Sequence, residues 1–188
     1  MDLLYGYGSL INRESAEKTL KHPVTYICEA VLLNHYRDWS AREQVVVDNR
    51  PISAAFLNVI YRNNSYVNGV CFPVTQDELA RMDCREKSYK RINISHDIVI
   101  PINQCGAIVT SDQNDILKDV DNIWTYVYAS EVCGPVVVLD GYNQKVLKGC
   151  HEISKAFYDR FIENTEPAPL PLQMGSYHFA DAEQERHV

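Results

Sequence analysis

The segment that decides the fold is LLYGYGSLI, residues 3–11, close to the start of the chain. Its apolar and aromatic beginning is typical of a short buried strand, and the glycines that follow break that strand. Asn12 can then cap a helical turn that continues through Thr19. The segment therefore predicts a strand, a glycine turn and a helix. The backbone N–H groups of residues 8–10 can face an anion at this turn, and an ordinary tight turn is the alternative.

Length and composition indicate a single globular domain. The chain has 188 residues, of which 46% are apolar and 23% are charged. Acidic residues outnumber basic ones by 25 to 18, for a formal charge of -7, and no Lys/Arg cluster stands out. These charges disfavour nucleic acid and anionic membranes as partners.

The chain carries no sequence signal for a membrane or for secretion. No apolar run approaches the ~20 residues that cross a bilayer, and no leader-like segment precedes the patterned sequence. The six cysteines are widely spaced, without a CxxC pair, as in a reducing compartment. We therefore expect a cytoplasmic protein, and nothing in the sequence indicates its oligomeric state.

Several strands are predicted from runs of β-branched and aromatic residues. They cover residues 24–39, 52–61, 66–74, 89–100 and 123–131, with loops at 48–51 and 63–65. A capping box at Thr75 and Glu78 predicts a helix over residues 76–85. Apolar residues on one helical face predict a second, continuous helix over residues 142–163.

These elements show no regular βαβ rhythm. We therefore predict an α+β fold for residues 1–165, with a mixed, barrel-like β-sheet flanked by a few helices. Pro167, Pro169 and Pro171 prevent helix continuation, so residues 166–188 are predicted to form an extended C-terminal tail.

The segment MDCREKSYKR, residues 82–91, places a charged turn between a helix and a strand. Glu86 lies there between Arg85 and Lys87, and taken alone the run is typical of a solvated surface. Common nucleotide-binding and hydrolase motifs are absent from the chain. The six histidines show no metal-ligand spacing, so we expect neither a metal site nor a cofactor.

Three segments, taken in order, resemble the γ-glutamylcyclotransferase-like superfamily, including its ChaC-type and AIG2-type branches. They are GYGSLI at residues 6–11, NGVCFPV at 68–74 and MDCREKSYKR at 82–91. YRDW at residues 36–39 is similar to the end of the family's second strand. Tyr142 followed by Gly149 resembles the family's late Tyr/Gly helix motif. The resemblance covers residues 3–163.

The resemblance implies an enzyme with Glu86 as its catalytic carboxylate and no cofactor. The family reaction cleaves a small γ-glutamyl amide: the substrate's α-amine attacks its own γ-carbonyl and releases 5-oxoproline and an amine. The leaving group stays open between a small γ-glutamyl compound and a γ-glutamylamine or larger γ-glutamyl product. A non-catalytic relative that binds an acidic metabolite or a protein partner is the alternative. The residues carried over as substrate-binding are Tyr7, Gly8, Ser9, Leu10, Tyr89 and Tyr142.

The chemistry of Glu86 agrees with this assignment. An α-amine is mostly protonated at neutral pH, so a base must remove a proton before it can attack. Burial raises the pKa of a glutamate towards neutrality, which suits it to act as that base. Arg85 and Lys87 would lower this pKa, so we expect both side chains to turn away. Two departures stand out: Ser88 replaces a frequent glycine, and LDGY at residues 139–142 replaces a frequent Pro-Ser before the late tyrosine.

Overall fold

A computed structural model of the protein describes residues 1–24, 28–100, 119–129 and 137–188. In these residues one mixed sheet of seven strands is flanked by five α-helices, which confirms the predicted α+β class. The strands are β1 (Asp2–Gly6), β2 (Cys28–Val47), β3 (Arg50–Val74), β4 (Lys90–Asn93), β5 (Ile98–Val99), β6 (Asn122–Val127) and β7 (Tyr177–Phe179). The helices are α1 (Arg13–Leu20), α2 (Gln76–Arg85), α3 (Asp140–Ile153), α4 (Lys155–Glu163) and α5 (Ala182–Glu185).

The sheet is mixed and open. Its strand order is β4-β6-β1-β3-β2-β5, and β7 pairs with the far end of β2. β1 runs parallel to β6, and the other pairs are antiparallel. Among the described strands, the short edges β4 and β5 do not pair with each other, so the expectation of a barrel is wrong as regards closure.

The long hairpin of β2 and β3 replaces three separately predicted strands. Asp48 and Asn49 form its turn, both with left-handed backbone conformations. The loop predicted at residues 63–65 is instead part of β3, and that prediction is wrong. Asn64 has a φ of 59° and lies beside a register shift in β2, where Asn34 has a φ of 55°. Asparagine tolerates this conformation, so the polar run produces a bulge instead of ending the strand.

Helix boundaries follow the polar caps. The Thr75–Glu78 capping box of α2 is present, and the Asn12 side chain accepts the N–H of Ser15 at the start of α1, at 3.0 Å. The single helix predicted over residues 142–163 is wrong at Ser154, which has extended backbone angles and separates α3 from α4. Its hydroxyl caps α4 by accepting the N–H of Phe157.

Arg37 joins the hairpin to α4 from inside the core. The residue is completely buried; its guanidinium donates to Thr165 Oγ1 at 2.7 Å and to the Asn68 carbonyl. It also lies 4.1 Å from the ring centroid of Phe161, a cation–π contact. Burial lowers the pKa of Arg37 to about 10, which still leaves the side chain charged at neutral pH.

Residues 166–188, predicted as an extended tail, contain β7 and α5. β7 pairs with Val45, Val46 and Val47 of β2, and Asp181 caps α5 through its side chain. The Phe179 side chain is buried at the end of this strand. The segment thereby packs against the same hairpin that forms the centre of the sheet.

Gly149 sets how closely α3 approaches the turn before α1. A Cβ atom at this position would lie 2.6 Å from the backbone N and Cα of Asn12 and 2.9 Å from the carbonyl carbon of Ile11. Because these are backbone atoms, the contact cannot be relieved by a side-chain rotation. The late glycine of the predicted motif therefore has a packing role.

We predict that Gly149→Ala lowers the free energy of unfolding by about 1–3 kcal/mol, since overpacking outweighs the helix propensity gained with alanine. Gly141→Ala is the matched control on the same helix, because its Cβ would meet only the Tyr177 ring at 3.7 Å. Urea unfolding of both variants gives the comparison. Equal stability of the two variants would contradict this packing role for Gly149.

Candidate active site

The turn after β1 presents a row of backbone donors. Residues 9–11 form one turn of 3₁₀-helix, in which Ile11 N–H donates to the Gly8 carbonyl at 2.9 Å. Among the described residues, the N–H groups of Gly8, Ser9 and Leu10 have no protein acceptor. Such a set of adjacent donors at the start of a helical turn is suited to an anion.

Arg85 connects this turn to α1 and α2. Its side chain is 2% exposed, and all five of its N–H donors have acceptors. One terminal nitrogen, Nη1, donates to the Ser15 carbonyl and to Thr19 Oγ1, at 2.7 and 2.8 Å. The other, Nη2, donates to the hydroxyls of Ser9 and Ser15, both at 3.0 Å. The fifth donor, Nε, contacts Glu86 Oε1 at 2.9 Å.

Glu86 lies at the C-terminal end of α2, with its side chain 17% exposed. Burial raises the pKa of this carboxyl above its usual range, and the Arg85 cation lowers it by a smaller amount. The expectation that Arg85 turns away is therefore wrong. Lys87 does turn away and pairs with Asp181 at 2.7 Å. Arg85 contacts only Oε1, and no hydrogen bond is made to Oε2 within the described part of the chain.

Tyrosine side chains form the walls around Glu86. Tyr7 donates to the Tyr126 carbonyl at 2.6 Å, and Tyr89 donates to the Leu57 carbonyl at 3.2 Å. The hydroxyl of Tyr142 accepts the Leu57 N–H at 3.4 Å. Burial raises the pKa values of Tyr7 and Tyr89 well above the usual tyrosine range, so both hydroxyls stay neutral donors at neutral pH.

Two adjoining pockets meet at Glu86. The loop pocket extends under the glycine turn, and the tail pocket extends towards β7 and α5. Both are bordered by Ser9, Glu86, Tyr89 and Tyr142. The loop pocket is lined in addition by Tyr5, Gly6, Tyr7, Gly8, Leu10, Leu57, Thr125 and Tyr126. The tail pocket is lined in addition by Glu43, Phe56, Arg85, Lys145, Tyr177, Phe179, Gln184 and Val188.

All seven site residues predicted from the sequence line the loop pocket. Sequence reasoning missed Leu57, Thr125 and Tyr126, which lie within ordinary strand patterns. It also missed Glu43, although a charged residue in register with Ala41, Val45 and Val47 on one strand face is a detectable signal. Arg91, the last residue of the MDCREKSYKR segment, pairs with Asp83 at 3.2 Å.

In the described segments, no group of three or more His, Cys, Asp or Glu side chains is placed to hold a metal ion. The four cysteines in these segments form no disulfide, and Cys105 and Cys133 lie outside them. None of the described helices is both long and apolar enough to cross a membrane.

Comparison with solved structures shows the fold. A γ-glutamyl cyclotransferase matches 91% of this chain over 92% of its own length, with a TM-score of 0.59 and 14% identity. An uncharacterized human protein matches over the same shares, with a TM-score of 0.58 and 13% identity. A yeast γ-glutamyl cyclotransferase specific to glutathione matches 89% of each chain, with a TM-score of 0.51 and 10% identity.

The protein therefore has the fold of the γ-glutamyl cyclotransferases, as its sequence motifs predict. No family model and no curated protein sequence matches the chain.

We predict that Arg85→Met lowers the free energy of unfolding by about 3–5 kcal/mol, because the change leaves Glu86 and several buried oxygens without their donor. Arg81→Met is the control from the same helix. Arg81 is 28% exposed and makes two carbonyl hydrogen bonds at 3.2 Å, so its loss should cost about 1 kcal/mol or less. Denaturant unfolding of both variants tests the difference, and similar losses would contradict the central role of Arg85.

Proposed function

We propose that the protein is a γ-glutamyl cyclotransferase that converts a γ-glutamyl amide into 5-oxoproline and a free amine. The observation that supports this proposal is the juxtaposition of a partly buried glutamate, Glu86, with a turn of unsatisfied backbone N–H groups. The γ-glutamyl cyclotransferase fold supports the same chemistry. In this proposal the substrate is a small molecule whose glutamyl end occupies the loop pocket.

The substrate's α-carboxylate binds the N–H groups of Gly8, Ser9 and Leu10. Hydrogen bonds to a charged group contribute roughly 1.5–3 kcal/mol each, so three donors can hold the glutamyl end firmly. The hydroxyls of Tyr89 and Tyr142 line the same pocket. Because a γ-glutamyl chain must curl before its amine reaches its own carbonyl, this anchoring accelerates the reaction by orientation.

Glu86 acts as the general base. It takes a proton from the α-amine as the amine nitrogen bonds to the γ-carbonyl carbon. The bond between that carbon and the leaving nitrogen then breaks, and Glu86 returns the proton to the leaving nitrogen. Glu86 borders both pockets, so it can contact the attacking amine on one side and the leaving nitrogen on the other. The raised pKa of the Glu86 carboxyl lies closer to the pKa of the substrate's amine. Proton transfer from the α-amine to Glu86 is therefore easier.

We expect Glu86→Gln to retain the fold and to lose about 10²–10⁴-fold in kcat, the usual contribution of a general base. Glutamine keeps the oxygen that accepts Arg85 Nε–H and removes only the proton acceptor. The assay incubates the purified protein with glutathione, γ-glutamyl dipeptides and γ-glutamyl-lysine and detects 5-oxoproline by mass.

Glu152→Gln is the control, because Glu152 is an exposed acid on α3 that pairs only loosely with Lys148, at 3.7 Å. Wild-type 5-oxoproline release by Glu86→Gln would refute the assigned base. Binding of γ-glutamyl compounds without release of 5-oxoproline by the wild-type protein would instead support a binding protein.

The anion site is tested by Gly8→Val and Ser9→Ala. A Cβ at Gly8 would lie 3.0 Å from the Tyr142 hydroxyl, so valine should crowd the carboxylate and raise KM about tenfold or more. Ser9→Ala keeps the backbone donor and removes only the acceptor of one Arg85 N–H, so KM should change about threefold or less. Steady-state kinetics give both values. A larger effect from Ser9→Ala would show that the Ser9 side chain is needed as well, either to contact the substrate or to hold the turn through Arg85.

A further inference from the structure

Glu43 is a second acidic residue at the candidate active site and has no role in the reaction proposed for Glu86. It lies on β2, where Ala41, Val45 and Val47 share its buried face, and only 6% of its surface is exposed. Packing alone would favour an apolar residue at such a position. The packing of the strand therefore does not explain why a carboxylate occupies this position.

Within the described segments, the two carboxylate oxygens of Glu43 differ in their hydrogen bonds. Oε2 accepts a hydrogen bond from the Ser88 hydroxyl at 2.9 Å. Oε1 is buried and accepts no hydrogen bond of normal geometry from the described residues. The Gln184 amide is its close polar neighbour and lowers the pKa of Glu43 against the larger effect of burial, so a ligand donor would compete with Gln184 for this oxygen. An unpaired buried carboxylate oxygen is costly, and a donor from a ligand would relieve that cost.

Three aromatic side chains, Phe56, Tyr177 and Phe179, line the tail pocket together with Glu43. Phe56 stacks on Phe179 with ring centroids 5.5 Å apart, and Tyr177 lies edge-on to both rings at 6.4 and 6.0 Å. Aromatic rings beside a carboxylate are suited to an ammonium group, which gains cation–π attraction and a charge-assisted hydrogen bond together.

We propose that the tail pocket binds the leaving group, and that Glu43 Oε1 accepts a hydrogen bond from a second, charged amino group carried by that leaving group. This inference rests on the proposed function, because it assigns the loop pocket to the γ-glutamyl end. It makes γ-glutamyl derivatives of diamines, or of compounds with an equivalent distal amine, the preferred substrate class. Glu43 is then a specificity-determining residue.

The charged groups around Glu43 favour the binding of a cationic amino group beside its carboxylate. Burial and the neighbouring carboxylates Glu86 and Asp181 raise the pKa of Glu43, and a bound ammonium group would favour its charged form. Arg85 also borders the pocket, but all five of its donors have acceptors. Lys145 also borders the tail pocket; it is half-buried and lines in addition a groove between α1 and α3.

The test compares γ-glutamyl derivatives of linear diamines with those of alkylamines of equal length, over three to five carbons. The wild-type protein should favour the diamine derivative of the best length about tenfold or more in kcat/KM. Glu43→Gln should bring this ratio close to one, while Glu152→Gln leaves it unchanged. Glutamine has nearly the same volume and keeps an oxygen for Ser88. Glu43→Asp, which keeps the charge, should restore part of the ratio.

A wild-type ratio near one, or a Glu43→Gln variant that retains the preference, would overturn the inference. A binding arm separates this failure from failure of the proposed function. Calorimetry with the Glu86→Gln protein compares the same ligand pairs without turnover, with and without Glu43→Gln. Preferential diamine binding that depends on Glu43 supports the subsite even if no 5-oxoproline forms. Equal binding of both ligand classes refutes it.

Discussion

The buried guanidinium of Arg85 is the interaction on which the site depends. Removing a cation from water costs several kcal/mol unless every donor finds an acceptor and a counter-charge is close. Ser9, Ser15, Thr19 and Glu86 together meet that requirement. The same bonds hold the glycine turn, α1 and α2 at fixed distances, so the donors of the turn and the carboxylate of Glu86 are positioned by one side chain.

The position of this cation also sets the chemistry of Glu86. A two-point contact between a guanidinium and a carboxylate would strongly favour the charged carboxylate and weaken it as a base. Arg85 instead gives one donor to Glu86 and four to other groups, so burial outweighs the attraction and the pKa of Glu86 is raised. One carboxylate oxygen is left for a ligand. A carboxylate can therefore act as a base beside a guanidinium when the other donors of that guanidinium are bonded to other groups.

Local signals in the sequence predict much of this architecture. The caps at Asn12 and Thr75 predict where α1 and α2 begin. The glycine turn and Glu86 each lie in a short contiguous motif, so both could be identified from the sequence. Residues that depend on distant partners escape prediction. Asn64 has the composition of a loop, but pairing with β2 makes it a bulge. Ser154 breaks a helix whose apolar spacing continues through it. The alternation of β2 places Glu43 on the buried face, but the pocket that makes it part of the site is completed by β7 and α5, more than 130 residues later.

Three asparagines of the hairpin have left-handed backbone conformations, and two of them, Asn34 and Asn64, lie at a register shift between β2 and β3. Asn34 and Asn64 face each other at the register shift, where Asn64 N–H donates to Asn34 Oδ1 at 3.3 Å. Strand side chains alternate between faces, so a slip of one residue would turn Glu43 away from the pocket and bring Arg42 or Gln44 into it. The half-buried Asn34 and the exposed Asn64 stand at one register shift, and a second lies between Asp38 and Ala41. Together with the turn at residues 48–49, these irregularities determine that a carboxylate, and not its neutral or cationic neighbour, lies inside the cavity.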